Sequence, residues 1–252
     1  MRLDNYLFDQ KYFDSRTKAK QAVERGEIFI NGKAVKKPAY EIALGEHLNI
    51  EYRRNEEYVS LGGYKLNKAL TDFAFSVKDL VVADIGASTG GFTDCLLQKG
   101  AKKVYAVDLN DRLLHEKLKS DDRVDLIVKN AKDLSKTDFS EDLDLIVADL
   151  SFISITSVIE VFDKLLSDKK RLLVLIKPQF ETGQKCRYKN GIIRDKKVHL
   201  IVCNQVYDVG ISFGFTPKAF TTAPIQQDKN LEFLMLFEKN GVKTLEKNEM
   251  IF

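Results

Sequence analysis

Cysteine and histidine are scarce in this sequence, three of each in 252 residues. Cys95, Cys186 and Cys203 lie far apart and form no Cys-x-x-Cys pair, a usage that fits reduced thiols and argues against a structural zinc site. No apolar run approaches the roughly eighteen residues that cross a bilayer. The opening "MRLDNYLFDQ" carries acids where a secretory leader needs an apolar stretch. These absences set the expectation of a cytoplasmic chain with no metal and no stable membrane association. Charge of one sign is also lacking overall: the net value of +3 is too small to argue for nucleic acid.

What is present is more informative. Apolar side chains make up 44% of the chain, enough for a sizeable core and a second, small module. The positive charge is clustered. Residues 15–37 hold Arg16, Lys18, Lys20, Arg25, Lys33, Lys36 and Lys37 against Glu24 and Glu27, and "KCRYKNGIIRDKK" at 185–197 holds six basic residues and one acid. Either cluster alone fits a solvated face, but two on a near-neutral chain point to contact surfaces.

Residues 1–50 are expected to form a compact α+β unit. Ser15 can cap a helix through "SRTKAKQAVERG", with Ala19, Ala22 and Val23 on one face and Gly26 as its stop. "EIFINGKAV" predicts a hairpin turning at Asn31-Gly32, and "EHLNI" a last strand. The polar stretch 51–60 reads as a linker. From residue 61 onward, apolar strands alternate with amphipathic helices. The strands are "LVVADI", "KVYAVDL", "VDLIVK", "LDLIVAD", "RLLVLIK", "KAFTTA" and "LEFLMLF". That alternation predicts an α/β fold with a mostly parallel sheet covered on both faces. A helix over "KKVHLIVCNQVYDVGISF" is expected to bury Val198, Ile201, Val202, Val206 and Val209.

Ligands of open α/β sheets bind beyond the carboxyl ends of the strands. There the sequence puts Asp84 and Gly86, then Asp108, Asp149 and Lys177, while Glu232 opens the last strand as the one acid in an apolar run. The first of these turns, "DIGASTGGFTD", admits several spellings. Gly86, Ser88 and Gly90 match a serine elbow, and Ser88, Asp149 and His199 follow in triad order. His199, however, falls inside the valine-striped helix, and no strand of that domain precedes the turn to build an oxyanion hole. A P-loop fails because Phe92 stands where its lysine belongs. A dinucleotide site needs a glycine at Ser88 and no acid at Asp84, beside a pyrophosphate. A ligand with a ribose and a cationic amino-acid tail removes both objections, with Asp84 at the tail and Asp108 at the ribose hydroxyls. S-adenosylmethionine is such a ligand.

Five segments carry a resemblance: "YVSLGGYKLNKAL", "VVADIGASTGGFTDCLLQKGAKKVYAVDLN", "DLIVADLSFIS", "LLVLIKPQFETG" and "NLEFLMLF". Together they resemble the TlyA family of ribosomal RNA 2′-O-methyltransferases, whose members also bear the name haemolysin. "MRLDNYL…SRTKAKQAVERGEIFINGKAVKKP" is similar to the S4 RNA-binding domain that this family carries at its amino end. The resemblance implies a Rossmann-like methyltransferase sheet behind a small S4-like domain, and ribosomal RNA or a ribosomal subunit as partner. It also implies a catalytic set of Lys65, Asp149, Lys177 and Glu232. The residues expected to hold the donor are Asp84, Gly86, Ser88, Gly90, Gly91, Asp108 and Asn130. Those expected to hold RNA are Arg2, Arg16, Lys20, Lys33, Lys36, Lys37, Lys189 and Arg194. One departure is Leu61 in "VSLGG", where the family usually has arginine. The short ends resemble the branch acting on a cytidine of large-subunit RNA.

The chemistry suits these residue types. A ribose hydroxyl attacks only as its proton is removed or shared, which a lysine can do where its neutral form is accessible. Two other functions stay open at this point: an RNA-binding or assembly module with a vestigial transferase, and a membrane-lysing protein. The intact Lys-Asp-Lys-Glu set argues against the first, and the lack of an amphipathic or spanning segment against the second.

Overall fold

The computed structural model describes residues 1–24, 26–42, 48–52, 57–183, 191–225 and 229–250. The chain divides into two compact units, Met1–Glu57 and Tyr58–Phe252, each taken by itself below.

The first unit is built from α1 (Leu3–Asp9), α2 (Arg16–Glu24), β1 (Ile28–Ile30), β2 (Lys33–Val35) and β3 (Ile50–Tyr52). The Ser15 hydroxyl accepts from the Lys18 amide at 3.3 Å, and Gly26 ends the helix at φ 76° with its amide on the Val23 carbonyl. Ala19, Ala22 and Val23 are fully buried against Leu3, Leu7 and Ile28. Asn31 and Gly32 sit at φ 49° and 78°, the left-handed pair that a two-residue hairpin demands. One feature adds to the sequence expectation and one differs from it. The opening segment is a helix, anchored by Leu3 and Leu7 four residues apart. The third strand lies at 50–52, not over "EHLNI", and so enters the stretch read as a linker. Its register is set where Asn31 and Asn49 exchange two hydrogen bonds, after which Ile50 pairs with Ile30. Residues 43–47 lie outside the described residues.

In the second unit the order is α3 (Leu61–Asp72), β4 (Val81–Ile85), α4 (Gly91–Gln98), β5 (Lys103–Asp108), α5 (Glu116–Lys119), β6 (Val124–Val128) and β7 (Leu145–Ala148). Then come α6 (Ile159–Leu165), β8 (Arg171–Ile176), α7 (Pro178–Glu181), α8 (Lys196–Ser212), β9 (Phe215–Thr222) and β10 (Phe233–Lys239). The seven strands form one sheet in the order β6-β5-β4-β7-β8-β10-β9. The first five run parallel, and β10 is antiparallel to both its neighbours. β4 and β7 are buried along their whole length, and their alternate residues feed two core clusters, one on each face. Strand order reverses beside β4, which opens a crevice at its carboxyl end.

The long helix α8 keeps most of its expected face, with Val198 and Val209 partly buried against the core, but turns Ile201 outward. Val202 and Val206 are buried, but Ile201 is 64% exposed, and the inward stripe runs through His199, Cys203, Tyr207 and Gly210. Spacing of three and four residues through His199 packs better because Cys203 and Gly210 let the helix approach the sheet, where Phe237 lies against Gly210.

Candidate active site

The antiparallel last strand explains how residues far apart in sequence share one edge. β4, β5, β7 and β8 end there, so Gly86, Asp108, Asp149 and Lys177 follow their carboxyl ends. β10 starts there, with Phe233 opposite Ile176, and the same register carries Glu232 beside Lys177.

Two lysine–carboxylate pairs stand at this edge. Lys177 Nζ lies 2.5 Å from Asp149 Oδ1 and donates to the Ser151 hydroxyl at 2.8 Å, above the Phe180 ring. Lys65, on the second turn of α3, lies 2.6 Å from Glu232 Oε2. All four side chains are largely buried, from 10 to 19% exposed, so each charge needs its partner.

Beside the Lys177–Asp149 pair is a cavity of about 430 Å3, lined by Gly86, Ser88, Asp108, Asn130, Asp149 and the loop through Ile153. Gly86 has φ 88°, and a Cβ there would stand 2.5 Å from the Asp149 carbonyl oxygen, so the turn can pass β7 only as glycine. Asp108 fixes the turn: its Oδ2 accepts from the Ser88 amide at 2.8 Å and its Oδ1 from the Asn110 amide at 3.1 Å. A carboxylate has further lone pairs, which leaves Asp108 able to accept ribose hydroxyls. The Asn130 side chain accepts from the Lys132 amide at 3.0 Å and shapes the far wall.

Three residues expected around the donor do not line this cavity. Gly90, at φ 92°, is packed on Leu114 and Leu118, and Gly91 is pressed against Ser60 and Gly63 of the α3 entry. The small size of Gly91 serves the close crossing of α3 and α4, and that of Gly90 admits the two leucines at and before α5. Asp84 is fully buried beneath the turn, where Oδ2 accepts from the Thr93 hydroxyl at 2.6 Å and Oδ1 has no hydrogen-bond partner. Burial first, then the nearby charges of Asp149 and Asp108, push Asp84 up to about 7. Three carboxylates thus converge on one edge, where among the described residues Asp84 Oδ1 has no partner and Asp149 Oδ1 has only its ion pair with Lys177. A ligand carrying an ammonium and a sulfonium fits that field, and a pyrophosphate does not.

The serine-elbow spelling loses its base. Ser88 does have a left-handed φ of 50°, but the His199 Nε2 lies 3.1 Å from the Ile193 carbonyl and its ring packs edge-on to Phe233. Burial lowers its pKa, so it is a neutral core residue.

Sequence reasoning missed Ser151 and Phe152. Phe152 is 87% exposed at φ 70°, with its ring 5.2 Å from that of Phe180. An aromatic three residues after a strand-end acid is a readable signal; its exposure is not.

The expected RNA-holding residues separate into groups. Arg2 grips the buried Asp4 through two hydrogen bonds, at 3.0 and 2.9 Å, and Arg16 approaches the same carboxylate at 3.7 Å. The Arg2 guanidinium holds Asp4 below the usual carboxylate range. Lys20 lies 3.7 Å from Glu24, while Lys33, Lys36 and Lys37 are exposed along and after β2. Arg194 is exposed just before α8, and Lys189 lies outside the described residues. Leu61, at the first position of α3, is 47% exposed.

Comparison with known proteins places this geometry in context. Residues 58–239 match the FtsJ-like methyltransferase family, and residues 1–48 match the S4 domain. The chain is 43% identical to Hemolysin A of Brachyspira hyodysenteriae, over 94% of this chain and 99% of that protein. It is 33% identical to the 16S/23S rRNA (cytidine-2′-O)-methyltransferase TlyA of Mycobacterium tuberculosis, over 83% of this chain and 80% of that enzyme. A solved structure from Streptococcus thermophilus that carries the hemolysin name superposes with a TM-score of 0.73 at 38% identity, covering 96% of this chain and 90% of that one.

Proposed function

The chain belongs to the FtsJ-like methyltransferase family, and on that premise we propose that it methylates the 2′-hydroxyl of a cytidine ribose in ribosomal RNA, with S-adenosylmethionine as donor. The observation that carries this reading is the meeting of Lys177–Asp149 and Lys65–Glu232 at one sheet edge, drawn from α3, β7, β8 and β10. Two largely buried ion pairs at one sheet edge, one of them with Asp149 on the wall of a ligand cavity, are costly to build.

When bound, S-adenosylmethionine supplies a methyl group on an excellent leaving group, so neither a metal nor a covalent enzyme intermediate is required. Asp108 and Asn130 hold the ribose and base end, and Asp84, buried beneath the turn and off the cavity wall, favours the cationic tail through its negative charge. Lys177 in its neutral form, its own extra proton first passed to Asp149 or solvent, takes the proton of the ribose hydroxyl, and Asp149 and Ser151 fix its Nζ. Lys65, held by Glu232, orients the same hydroxyl from the opposite side. Phe152 offers an exposed ring on which a target base turned out of its helix can stack.

The amino-terminal unit then supplies RNA affinity, and the basic stretch at 185–197 contacts the target region. Large-subunit RNA is the favoured substrate. The protein works in the cytoplasm, where ribosomal RNA is. Among the described residues no helix is long and apolar enough to cross a membrane, and nothing in the site serves lysis.

Reversing Lys33, Lys36 and Lys37 to glutamate will weaken RNA binding and flatten the slope of log affinity against log salt by about two units or more. Filter binding across a salt series checks this, and an unchanged slope would remove these lysines from the interface. The reaction itself is tested by incubating unmodified ribosomal RNA and separate subunits with the protein and labelled donor. Label in a ribose of the large-subunit RNA supports the reading. Label confined to small-subunit RNA corrects the target, and no label with any substrate refutes the transferase.

A further inference from the structure

Glu181 has no role in the chemistry described so far, yet it is one of few buried carboxylates in the second unit, at 7% exposure. It ends α7, four residues after Lys177. Its Oε1 accepts from the Ile155 amide at 2.8 Å, and its Oε2 accepts from the Ser154 hydroxyl. Ser154 is itself braced, since its oxygen accepts from the Thr156 amide at 3.1 Å and caps the short turn over Ile155–Ser157. No ion pair to Glu181 exists among the described residues, and burial without a cation pushes its carboxyl up. A buried acid with no cation is a poor device for stability, because an apolar or amide side chain would cost less there.

The connectivity gives it a different use. From Lys177 the chain passes through α7 to Glu181, and Glu181 bonds back to Ser154 and Ile155. From there the loop leads to Ser151 and Asp149, and both bond Lys177. The ring of contacts is closed, and Glu181 supplies its hydrogen-bonded cross-link between the loop and α7, alongside the Phe152–Phe180 ring contact. We propose that Glu181 is a positioning residue for methyl transfer, which clamps the loop after β7 to α7 and so holds Asp149 and Ser151 on the Lys177 amine.

The inference rests on the transferase reading above, and the test separates the two. Methyl transfer to ribosomal RNA is measured at saturating donor and RNA for the full-length wild type, Glu181→Ala, Glu181→Gln and Ser154→Ala. Donor affinity is measured by calorimetry on the same samples. Displacing a reacting group by about an ångström costs up to a hundredfold. Glu181→Ala is therefore expected to lose about tenfold or more in turnover, with donor affinity changed by less than about threefold. Glu181→Gln keeps an acceptor for Ile155 and a partner for Ser154, so it should restore turnover to within about threefold of wild type. If Glu181→Ala does not fold, Ser154→Ala carries the test, with a smaller loss in the same direction. Full turnover in a folded Ala variant overturns the inference. Equal losses of turnover and donor affinity also overturn it, because the loop would then merely wall the cavity. A wild type that transfers no methyl refutes instead the reading on which it rests.

Discussion

Replacing Lys177 with alanine will lower methyl transfer by about a hundredfold or more while the donor still binds. Lys177 leaves β8 into the crevice, 8% exposed, with Asp149 and Ser151 on its amine. On the proposed mechanism, its removal takes away the group that accepts or shares the ribose proton, a contribution usually worth about two to four orders of magnitude. The cavity walls that grip the donor come from the ends of β4, β5, β6 and β7, and they stay in place. Losing the ammonium leaves Asp149 unpaired at an edge already shared with Asp84 and Asp108. That change makes the field more negative, which does not hinder a cationic donor. Ser88→Ala is the matched control. The Ser88 amide, not its hydroxyl, makes the bond to Asp108, so the variant should keep most of its turnover. An inactive Ser88→Ala beside an active Lys177→Ala would reverse the assignment.

The second large effect belongs to Asp84. Its carboxyl is pushed up to about 7 by burial and by Asp149 and Asp108. The sign follows from linkage: an acid whose folded pKa is raised stabilises the fold fully below its ordinary pKa, and that contribution is lost as pH rises through about 7. The donor-free protein should therefore lose stability across that window. Binding a cationic ligand requires the ionised form, so donor affinity should rise with pH to above about 7 and fall by up to about tenfold per unit below it. Asp84→Asn removes both dependences. It is expected to weaken donor binding by at least about tenfold through loss of a negative charge near the cationic donor, while the donor-free protein melts no earlier at neutral pH. Calorimetry and thermal melts over the same pH series check each half. A donor affinity that is flat in the wild type, or intact in Asp84→Asn, would remove Asp84 from the donor site.

Much of this was legible in the sequence for a simple reason. Continuous apolar runs such as "LLVLI" can be satisfied only by strands buried on both faces, and polar residues at their ends must then lie at a sheet edge. That logic found Asp108, Asp149 and Lys177 from residue type and position. It did not find Lys65. A lysine on an amphipathic helix looks like any solvated lysine until the fold sets Glu232 against it, and the resemblance alone supplied it. The glycines misled for a related reason. Gly86 admits a close approach to β7, whereas Gly90 and Gly91 admit helices and leucines, and the spelling of the turn is the same for both uses. The face of α8 was legible in Val198, Val202, Val206 and Val209, but not in the small residues Cys203 and Gly210 that allow the helix to dock, nor in the outward turn of Ile201. Ser151, Phe152 and Glu181 act through one loop whose path depends on hydrogen bonds between distant segments, which no local pattern encodes.

The identity of the labelled nucleoside tests the proposed chemistry best. Ribosomal RNA lacking the modification is incubated with donor labelled in its methyl group and with either wild-type protein or Lys177→Ala, then digested and resolved by mass. Wild-type protein should yield label in 2′-O-methylcytidine, and Lys177→Ala should yield about a hundredth of that or less. Label on a base, or an equal yield from both proteins, would contradict transfer to a ribose hydroxyl by Lys177.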